Sequence, residues 1–371
     1  MYDLVVVGGG PAGSSCAYHA SKNGLKVLLL EKHKVPRFKL CAGCLSKRIS
    51  SHLPDGWEKL VLNRIKGGVL GYAGREDFEL MNDQDIAYIV DRAEFDAFLL
   101  EKAQEEGVEV LQECEVLSIE ANSGKCKVVT SKGSFYGDFL VGADGFYSTV
   151  AKALGYKKSK FFKSLEFFTF GDLVEKVIID IGWVKRGYAW VFPKGDRLSV
   201  GIACREGGDL SKNLFEYAKT RGIKIDGRVY GWHIPYMERE RDVFYGAGRV
   251  LLVGDAANLT DPLLGEGIYY AVLSGKLAVQ AIAESPSEPL ALYRELLKGL
   301  VSELVYAGKI ASLGYRFQKV AYSMSKKGIL KHYYRLLTGE LSYRELYIKG
   351  WFYFLKELVS EYANIYNYLR R

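Results

Sequence analysis

The chain has 371 residues, 49% hydrophobic and 26% charged, the make-up of a soluble globular protein with core enough for more than one domain. Its net charge of +7 is modest and holds no long Lys/Arg block, so nucleic acid is not an expected partner, and a weak attraction to anionic membrane surfaces is the more economical use of it. No run reaches the roughly 18 apolar residues of a membrane span, Met1 leads directly into apolar sequence with no signal peptide, and six cysteines are too sparse for a disulfide framework, so the expectation is a cytoplasmic protein.

Asp3 to Val7 is a short apolar run that reads as a strand, and Gly8-Gly9-Gly10-Pro11-Ala12-Gly13 follows at once. Ser14 to Ser21 reads as a helix and Lys26 to Leu30 as a second strand, closed by Glu31. In the Gly8-x-Gly10-x-x-Gly13 frame the first glycine allows a tight turn. The second lets a pyrophosphate approach the backbone, and the third lets helix and strand pack closely. The pyrophosphate then meets unpaired N–H groups at the helix N-terminus, and Glu31 is placed to accept hydrogen bonds from a ribose.

Lys32 to Lys39 is a basic linker that leads into Leu40-Cys41-Ala42-Gly43-Cys44-Leu45-Ser46. The two cysteines could form a redox pair or half of a zinc site, but no second Cys/His pair has the spacing to complete one. A small-residue loop lying against a cofactor is the preferred reading, because Ala42 and Gly43 let the backbone come close. Lys66 to Val90 alternates like β-hairpins, and Asp91 caps a helix that runs through Gln104. Val108 to Ile119, Lys125 to Thr130 and Phe139 to Gly142 read as strands, the last ending in the turn Ala143-Asp144-Gly145.

From Phe161 to Asn213 the chain turns to aromatic-rich strands, with Gly187-Tyr188-Ala189-Trp190-Val191-Phe192-Pro193 at their centre. Tyr188, Trp190 and Phe192 recur at period two, so one face of one strand carries all three rings. That face is either part of a hydrophobic core or the wall of a site for a long apolar substrate. Arg249 to Val253 then delivers Gly254-Asp255-Ala256-Ala257 and, after Asp261-Pro262-Leu263-Leu264, Gly265-Glu266-Gly267-Ile268, with a helix continuing to Glu284. This second strand end feeding a glycine turn and a helix N-terminus implies one long cofactor gripped from two halves of the sequence. Pro289 to Arg371 is helical by composition, and Leu346 to Leu369 mixes Trp351, Phe352, Tyr353, Phe354, Tyr362, Tyr366 and Tyr368 with cations. It reads either as a bundle capping the pocket or as a membrane-surface face.

With Gly8-x-Gly10-x-x-Gly13, Ala143-Asp144-Gly145 and Gly254-Asp255 in this order, the chain resembles FAD-dependent enzymes of the para-hydroxybenzoate hydroxylase superfamily. Within it, the Leu40-Cys41-Ala42-Gly43-Cys44 loop, the Tyr188-x-Trp190-x-Phe192-Pro193 strand and the Pro262-x-x-Gly265-Glu266-Gly267-Ile268 turn are similar to those of the geranylgeranyl reductase family. Many family members have glycine at the position of Cys44 and proline at that of Lys185. The resemblance implies an α/β fold: a Rossmann-like FAD-binding domain, a mixed β-sheet substrate domain and a C-terminal helical region. It places the FAD-binding domain at 1–160, with an inserted hairpin segment at 62–90, and at 246–285. The substrate domain would span 161–245 and the helical region 286–371. It further implies that the ADP half of FAD lies on Gly8, Gly10, Ala12, Gly13 and Glu31, with Arg92 at the phosphate–ribose region and Val116 near the adenine. Cys41, Ala42 and Asp144 would lie along the cofactor, and Asp255, Gly265, Gly267 and Ile268 would hold the ribityl chain and flavin.

Saturating an isolated trisubstituted alkene takes a hydride on one carbon and a proton on the other, so an enzyme for it supplies positioning and keeps water out. The expected activity is reduction of geranylgeranyl chains, with archaeal-type di-ether phospholipids as the isoprenoid lipid substrate and Tyr188, Trp190 and Phe192 lining its site. A quinone's isoprenoid tail would use the same chemistry. The rivals are a flavin-dependent halogenase, against which stands the absence of Trp-x-Trp-x-Ile-Pro, a flavin-dependent hydroxylase, against which stands the reductase-like Cys41 loop, and a non-catalytic flavoprotein carrier. No second nicotinamide fingerprint is visible, which leaves ferredoxin and a nicotinamide as equal candidates for electron donor. The sequence assigns no proton donor.

Overall fold

A computed structural model describes residues 1–121, 124–158 and 160–354. The chain opens with β1 (Tyr2–Val7), α1 (Pro11–Lys22), β2 (Val27–Leu30), β3 (Cys44–Ser46), β4 (Val61–Ile65), β5 (Gly67–Tyr72), β6 (Glu76–Met81) and β7 (Ala87–Val90). It continues through α2 (Arg92–Glu105), β8 (Glu109–Leu111), β9 (Val116–Ala121), β10 (Cys126–Thr130), β11 (Gly133–Gly142) and α3 (Thr149–Ala153). Then come β12 (Phe161–Phe170), β13 (Lys176–Ile181), β14 (Gly187–Lys194), β15 (Arg197–Cys204), α4 (Leu210–Thr220) and β16 (Tyr230–Pro235). The remainder is β17 (Gly246–Ala247), β18 (Val250–Leu252), α5 (Ile268–Glu284), α6 (Pro289–Arg316), α7 (Gln318–Met324) and α8 (Leu330–Leu337), followed by helical residues 343–354.

The first sheet has the parallel order β18-β11-β1-β2-β8, extended by an antiparallel β17 edge and by the β9–β10 ribbon on β11. Its central strands are covered on both faces, which is why Leu4 to Val7 and Val27 to Leu30 are unbroken apolar runs, all buried. Helices α1 and α5 pack tightly on one side: a Cβ at Gly275 would lie 2.4 Å from the Ala12 carbonyl, and Ser15 Oγ donates to Val272 O at 2.9 Å. Helix α1 starts at Pro11, three residues before the expected Ser14, because proline suits a first helical turn whose N–H groups have no partner.

The second sheet, β16-β12-β15-β14-β13-β5-β6, is antiparallel except where β13 runs parallel to β5. The β5–β6 hairpin, which belongs in sequence to the first part of the chain, is thus hydrogen-bonded onto the strands that follow Phe161. One face buries Phe167, Val191, Val200 and Ile202 against Leu214, Tyr217 and Ala218 of α4. The opposite face is turned towards a cavity. A third, small sheet, β3-β7-β4, lies between the two.

The expected strand from Val108 to Ile119 is divided into β8 and β9 at Glu113, whose φ of 53° turns the chain so that Cys114 N can donate to Glu31 O at 2.9 Å. The strand expected from Phe139 is the end of the longer β11, whose first half pairs with β10.

Candidate functional site

The parallel sheet decides where ligands can meet. Strands β1, β2, β11 and β18 run in one direction, so their C-terminal ends deliver Gly8, Glu31, Ala143 and Val253 to one edge of the sheet. The order reverses about β1, with β2 on one side and β11 on the other, and a crevice opens at such a switch point. The glycine turn closes on itself there: Gly8 has φ +103° and a Cβ on it would stand 2.6 Å from Ala143 O, while one on Gly13 would fall 1.8 Å from Gly8 O. Gly10 and Gly267 are the N-caps of α1 and α5, and neither has a side-chain cap. Both helices therefore present first-turn N–H groups to the crevice, a setting that suits phosphate and other electron-rich groups.

The acids around this edge are held rigidly. Glu31 is buried and accepts from Gly9 N at 2.8 Å and His33 N at 3.0 Å, with Arg37 Nε 3.4 Å away. Arg37 also reaches Asp96 at 3.1 Å, and Asp96 binds Arg92 through both oxygens at 2.8 and 2.9 Å. Asp144 accepts from Thr149 N at 2.6 Å and Ser148 Oγ at 2.5 Å, which fixes the start of α3. Asp255 accepts from Thr260 Oγ1 at 3.0 Å, and Lys158 Nζ holds its carbonyl at 2.6 Å. Burial, against the pull of Asp255 and Asp144, lowers the Lys158 ammonium to about 8. The turn into α5 is closed by Asp261 N to Glu266 O at 2.9 Å and locked by the contacts of Arg48 and Ser46 with Glu266.

One cavity of about 980 Å³ joins these groups. It is lined by Gly8, Gly10, Ala12, Glu31, Cys41, Ala42, Arg92, Val116, Asp144, Asp255, Gly265, Gly267 and Ile268, and also by Tyr188, Trp190 and Phe192. Gly13 is outside the lining and serves the packing of α1 on β1. All six cysteines are free, and Gly43 has φ +80° with a hypothetical Cβ 2.0 Å from Val90 O, so the Cys41 loop is pressed against β7.

The aromatic strand is packed in a core and also borders the cavity. Tyr188 and Trp190 are buried in a cluster with Phe162, Tyr236, Ala311 and Tyr315, and the same rings line the cavity. Tyr188 Oη donates to Leu264 O at 2.6 Å, which ties the sheet to the turn before α5. Beyond this wall the cavity continues between Leu313, Phe317, Met324, Leu330 and Tyr333 of the C-terminal helices as far as Trp351 and Phe354. Tyr362, Tyr366 and Tyr368 lie outside the described residues.

Residues 1–180 match the family model described as an FAD binding domain. The digeranylgeranylglycerophospholipid reductases of Methanocaldococcus jannaschii and Methanococcus vannielii are 31% and 30% identical to the chain over 317 and 310 residues, spanning 76% and 77% of it and 78% of each relative. The chain belongs to the geranylgeranyl reductase family. It is an FAD-dependent oxidoreductase. A geranylgeranyl bacteriochlorophyll reductase-like structure from Thermoplasma acidophilum superposes with a TM-score of 0.77 at 24% identity, covering 84% of this chain and 87% of that one. A flavin-dependent brominase shares the fold over 98% of this chain and 99% of its own, with a TM-score of 0.76 at 18% identity. The reductase's crevice fits FAD on its own terms: two uncapped helix N-termini, a glycine turn with no room for side chains, and a buried acid beside it.

Arg37, Arg48 and Glu166 escaped the sequence reading although each lines or braces the cavity. Their partners, Glu31, Glu266 and Ser199, are 6, 218 and 33 residues away. Only the basic character of the 32–39 linker hinted at one of them.

Proposed function

We propose that this reductase saturates the double bonds of geranylgeranyl chains, most specifically those of archaeal-type di-ether phospholipids. The observation that supports it is the continuity of one cavity from the glycine turn, past Tyr188, Trp190 and Phe192, into an apolar passage between the C-terminal helices. A hydroxylase or halogenase acting on a compact aromatic ring has no use for such a passage.

In this reading Gly8, Gly10, Ala12 and Gly13 receive the pyrophosphate, Glu31 takes the ribose hydroxyls, Arg92 faces the phosphate–ribose region and Val116 the adenine. Cys41, Ala42 and Asp144 lie along the cofactor, and Asp255, Gly265, Gly267 and Ile268 hold its ribityl and flavin end. Reduced FAD supplies the hydride. The protein's own part is to hold a flexible chain with one double bond at the reacting end, which the aromatic wall does by burying apolar surface at about 25 cal/mol per Å². Residues 1–160, with the inserted hairpin segment 62–90, and 246–285 would form the cofactor domain, 161–245 the substrate domain, onto whose sheet the β5–β6 part of the insertion pairs, and 286–371 the helical cover, of which 355–371 lie outside the described residues. The electron donor is a ferredoxin or a nicotinamide.

Among the described residues no helix is long and apolar enough to cross a membrane. Lipid is taken instead from a bilayer surface, at the end of the passage where Leu313, Phe317 and Trp351 are exposed. Anaerobically photoreduced protein is mixed with a geranylgeranyl di-ether phospholipid, and the flavin absorbance is followed. Reoxidation by this lipid and none by its saturated phytanyl counterpart is the expected result. Reoxidation by neither, with rapid reoxidation by oxygen and a halide- or arene-dependent product, would favour the monooxygenase class.

A further inference from the structure

The cavity face of the second sheet is a grid of cross-strand rows, and one row carries a buried carboxyl. From β16 to β5 it reads Tyr230, Glu166, Gly201, Trp190, Ile179 and Leu70. Glu166 is 4% exposed and lines the cavity. Gly201, directly between it and Trp190, leaves a notch: a Cβ there would lie 2.1 Å from the indole. The indole therefore lies over β15, its Nε1 donates to Ser199 Oγ at 3.1 Å, and that hydroxyl donates to Glu166 Oε1 at 2.6 Å.

The other buried or half-buried acids of the cavity are engaged by backbone N–H groups, by arginine or by a turn that they close. Glu31 binds Gly9, His33 and Arg37, Asp144 binds the start of α3, Asp255 binds Thr260, and Glu266 binds Arg48. Glu166 has one neutral hydroxyl, as does Asp255, but is the more deeply buried of the two. Burial pushes its carboxyl up to about 7, held back by the Ser199 hydrogen bond and by Lys194 and Lys39. These groups face it from every side: Lys194 from β14, Lys39 from the linker before β3, Tyr188 from β14 and Tyr230 from β16. Burial lowers Lys39 to about 8, so it still carries its charge at neutral pH and begins to lose it just above. A buried carboxyl that titrates near neutrality keeps a protonated fraction at working pH and can give that proton up.

Resting on the reading of this protein as a prenyl reductase, we propose that Glu166 is its proton donor, delivering the carboxyl proton to one carbon of the double bond. The π pair of the alkene forms the bond to that proton, the adjacent carbon takes the hydride supplied by reduced FAD, and two C–H bonds replace one π bond. The carboxylate left behind regains a proton from solvent. Trp190 and Ser199 are positioning residues that fix the carboxyl against the aromatic wall.

Two readouts test this with full-length holoprotein. In the absence of lipid, infrared difference titration should show a carboxylic acid C=O band lost as pH rises through about 7, and Glu166→Gln should remove it. In anaerobic single turnovers with a geranylgeranyl lipid, the wild-type rate should fall over the same pH range. Glu166→Gln should be slower by about 10²-fold and flat with pH, the scale of a lost general acid. FAD affinity and photoreduction should stay unchanged, and Glu166→Asp should recover part of the rate. A Glu166→Gln protein with the wild-type rate and profile, or a wild-type protein with no neutral-range band, overturns the assignment. If Glu166→Gln does not fold, Ser199→Ala must shift both the band and the profile, and no shift in either also overturns it. Wild-type protein that leaves every geranylgeranyl lipid unreduced while the band titrates would instead sink the reductase reading on which the assignment rests.

Discussion

At the scale of single residues, the glycine turn and the acid beside it were legible, and the side chains around the aromatic wall only in part. The placement of Gly8, Gly10, Gly13 and Glu31 at one sheet edge could be read because it follows from local spacing: a strand, a turn and a helix lie within one short stretch. Glu166 and Ser199 could not, because their meeting depends on the register of β12 against β15, which pairs Glu166 with Gly201 and Phe168 with Ser199. Two substitutions test the two ends. Glu31→Ala should weaken FAD binding by about 1–3 kcal/mol, the cost of leaving buried hydroxyls and the Gly9 N–H without an acceptor, as read by flavin fluorescence titration. An unchanged affinity would place the ribose elsewhere. Trp190→Phe keeps a ring on the wall but loses the bond to Ser199. It should leave the flavin spectrum and FAD affinity at wild-type values and lower kcat/KM on the lipid by about tenfold, since a misplaced chain loses near-attack geometry. Normal turnover would remove Trp190 from the site.

At the scale of elements, the helix from Asp91 and the helix ending at Glu284 stand where the sequence puts them, because a capping side chain and a continuous apolar face mark them locally. Asp91 accepts from Ala93 N at 2.8 Å. The attachment of the β5–β6 hairpin was not legible, because it rests on contacts far along the chain. Its anchor is Asp180 on β13, fully buried beneath Gly71, where a Cβ would stand 1.9 Å from the carboxylate. Asp180 takes Arg221 at 2.5 and 3.0 Å and Tyr217 Oη at 2.8 Å, and Arg221 goes on to grip Asp77 of β6 at 2.8 and 2.9 Å. Asp180→Ala takes the buried acceptor from Tyr217 and from one side of Arg221 while Arg221 keeps Asp77, so it should cost about 1–3 kcal/mol of stability in denaturant unfolding. FAD affinity per folded molecule should stay unchanged, since Asp180 lies on the face away from the cavity. A loss under about 1 kcal/mol would show that Arg221 finds its partners in solvent and that the hairpin is held by its strand pairing alone.

At the scale of the whole molecule, two sheets and a helical cover enclose one passage, and its far end exposes apolar side chains among cations. Phe317, Trp351 and Leu313 are 44%, 41% and 42% exposed there, with Arg316 over the Phe317 ring and Lys309 over Tyr306 and Tyr347. Apolar side chains among cations bind anionic bilayers through both burial and charge. The protein should therefore sediment with anionic liposomes, less so at high salt. Phe317→Ser with Trp351→Ser should reduce that binding more than activity on detergent-dispersed lipid; equal losses would mean that these rings only hold the cover in place. The helical character of this region, and a bundle capping the pocket as one of two readings, were legible from composition, but which residues reach the aromatic wall was not, because α6 and α8 meet it only through the tertiary fold. The central claim is that one cavity holds FAD and a prenyl chain end to end. Its most direct test is the mass of a geranylgeranyl di-ether phospholipid after anaerobic incubation with the reduced protein. A gain of one dihydrogen for each double bond saturated, absent with oxidised protein, is the predicted result. A lipid of unchanged mass beside fully reduced, FAD-loaded protein would contradict the account.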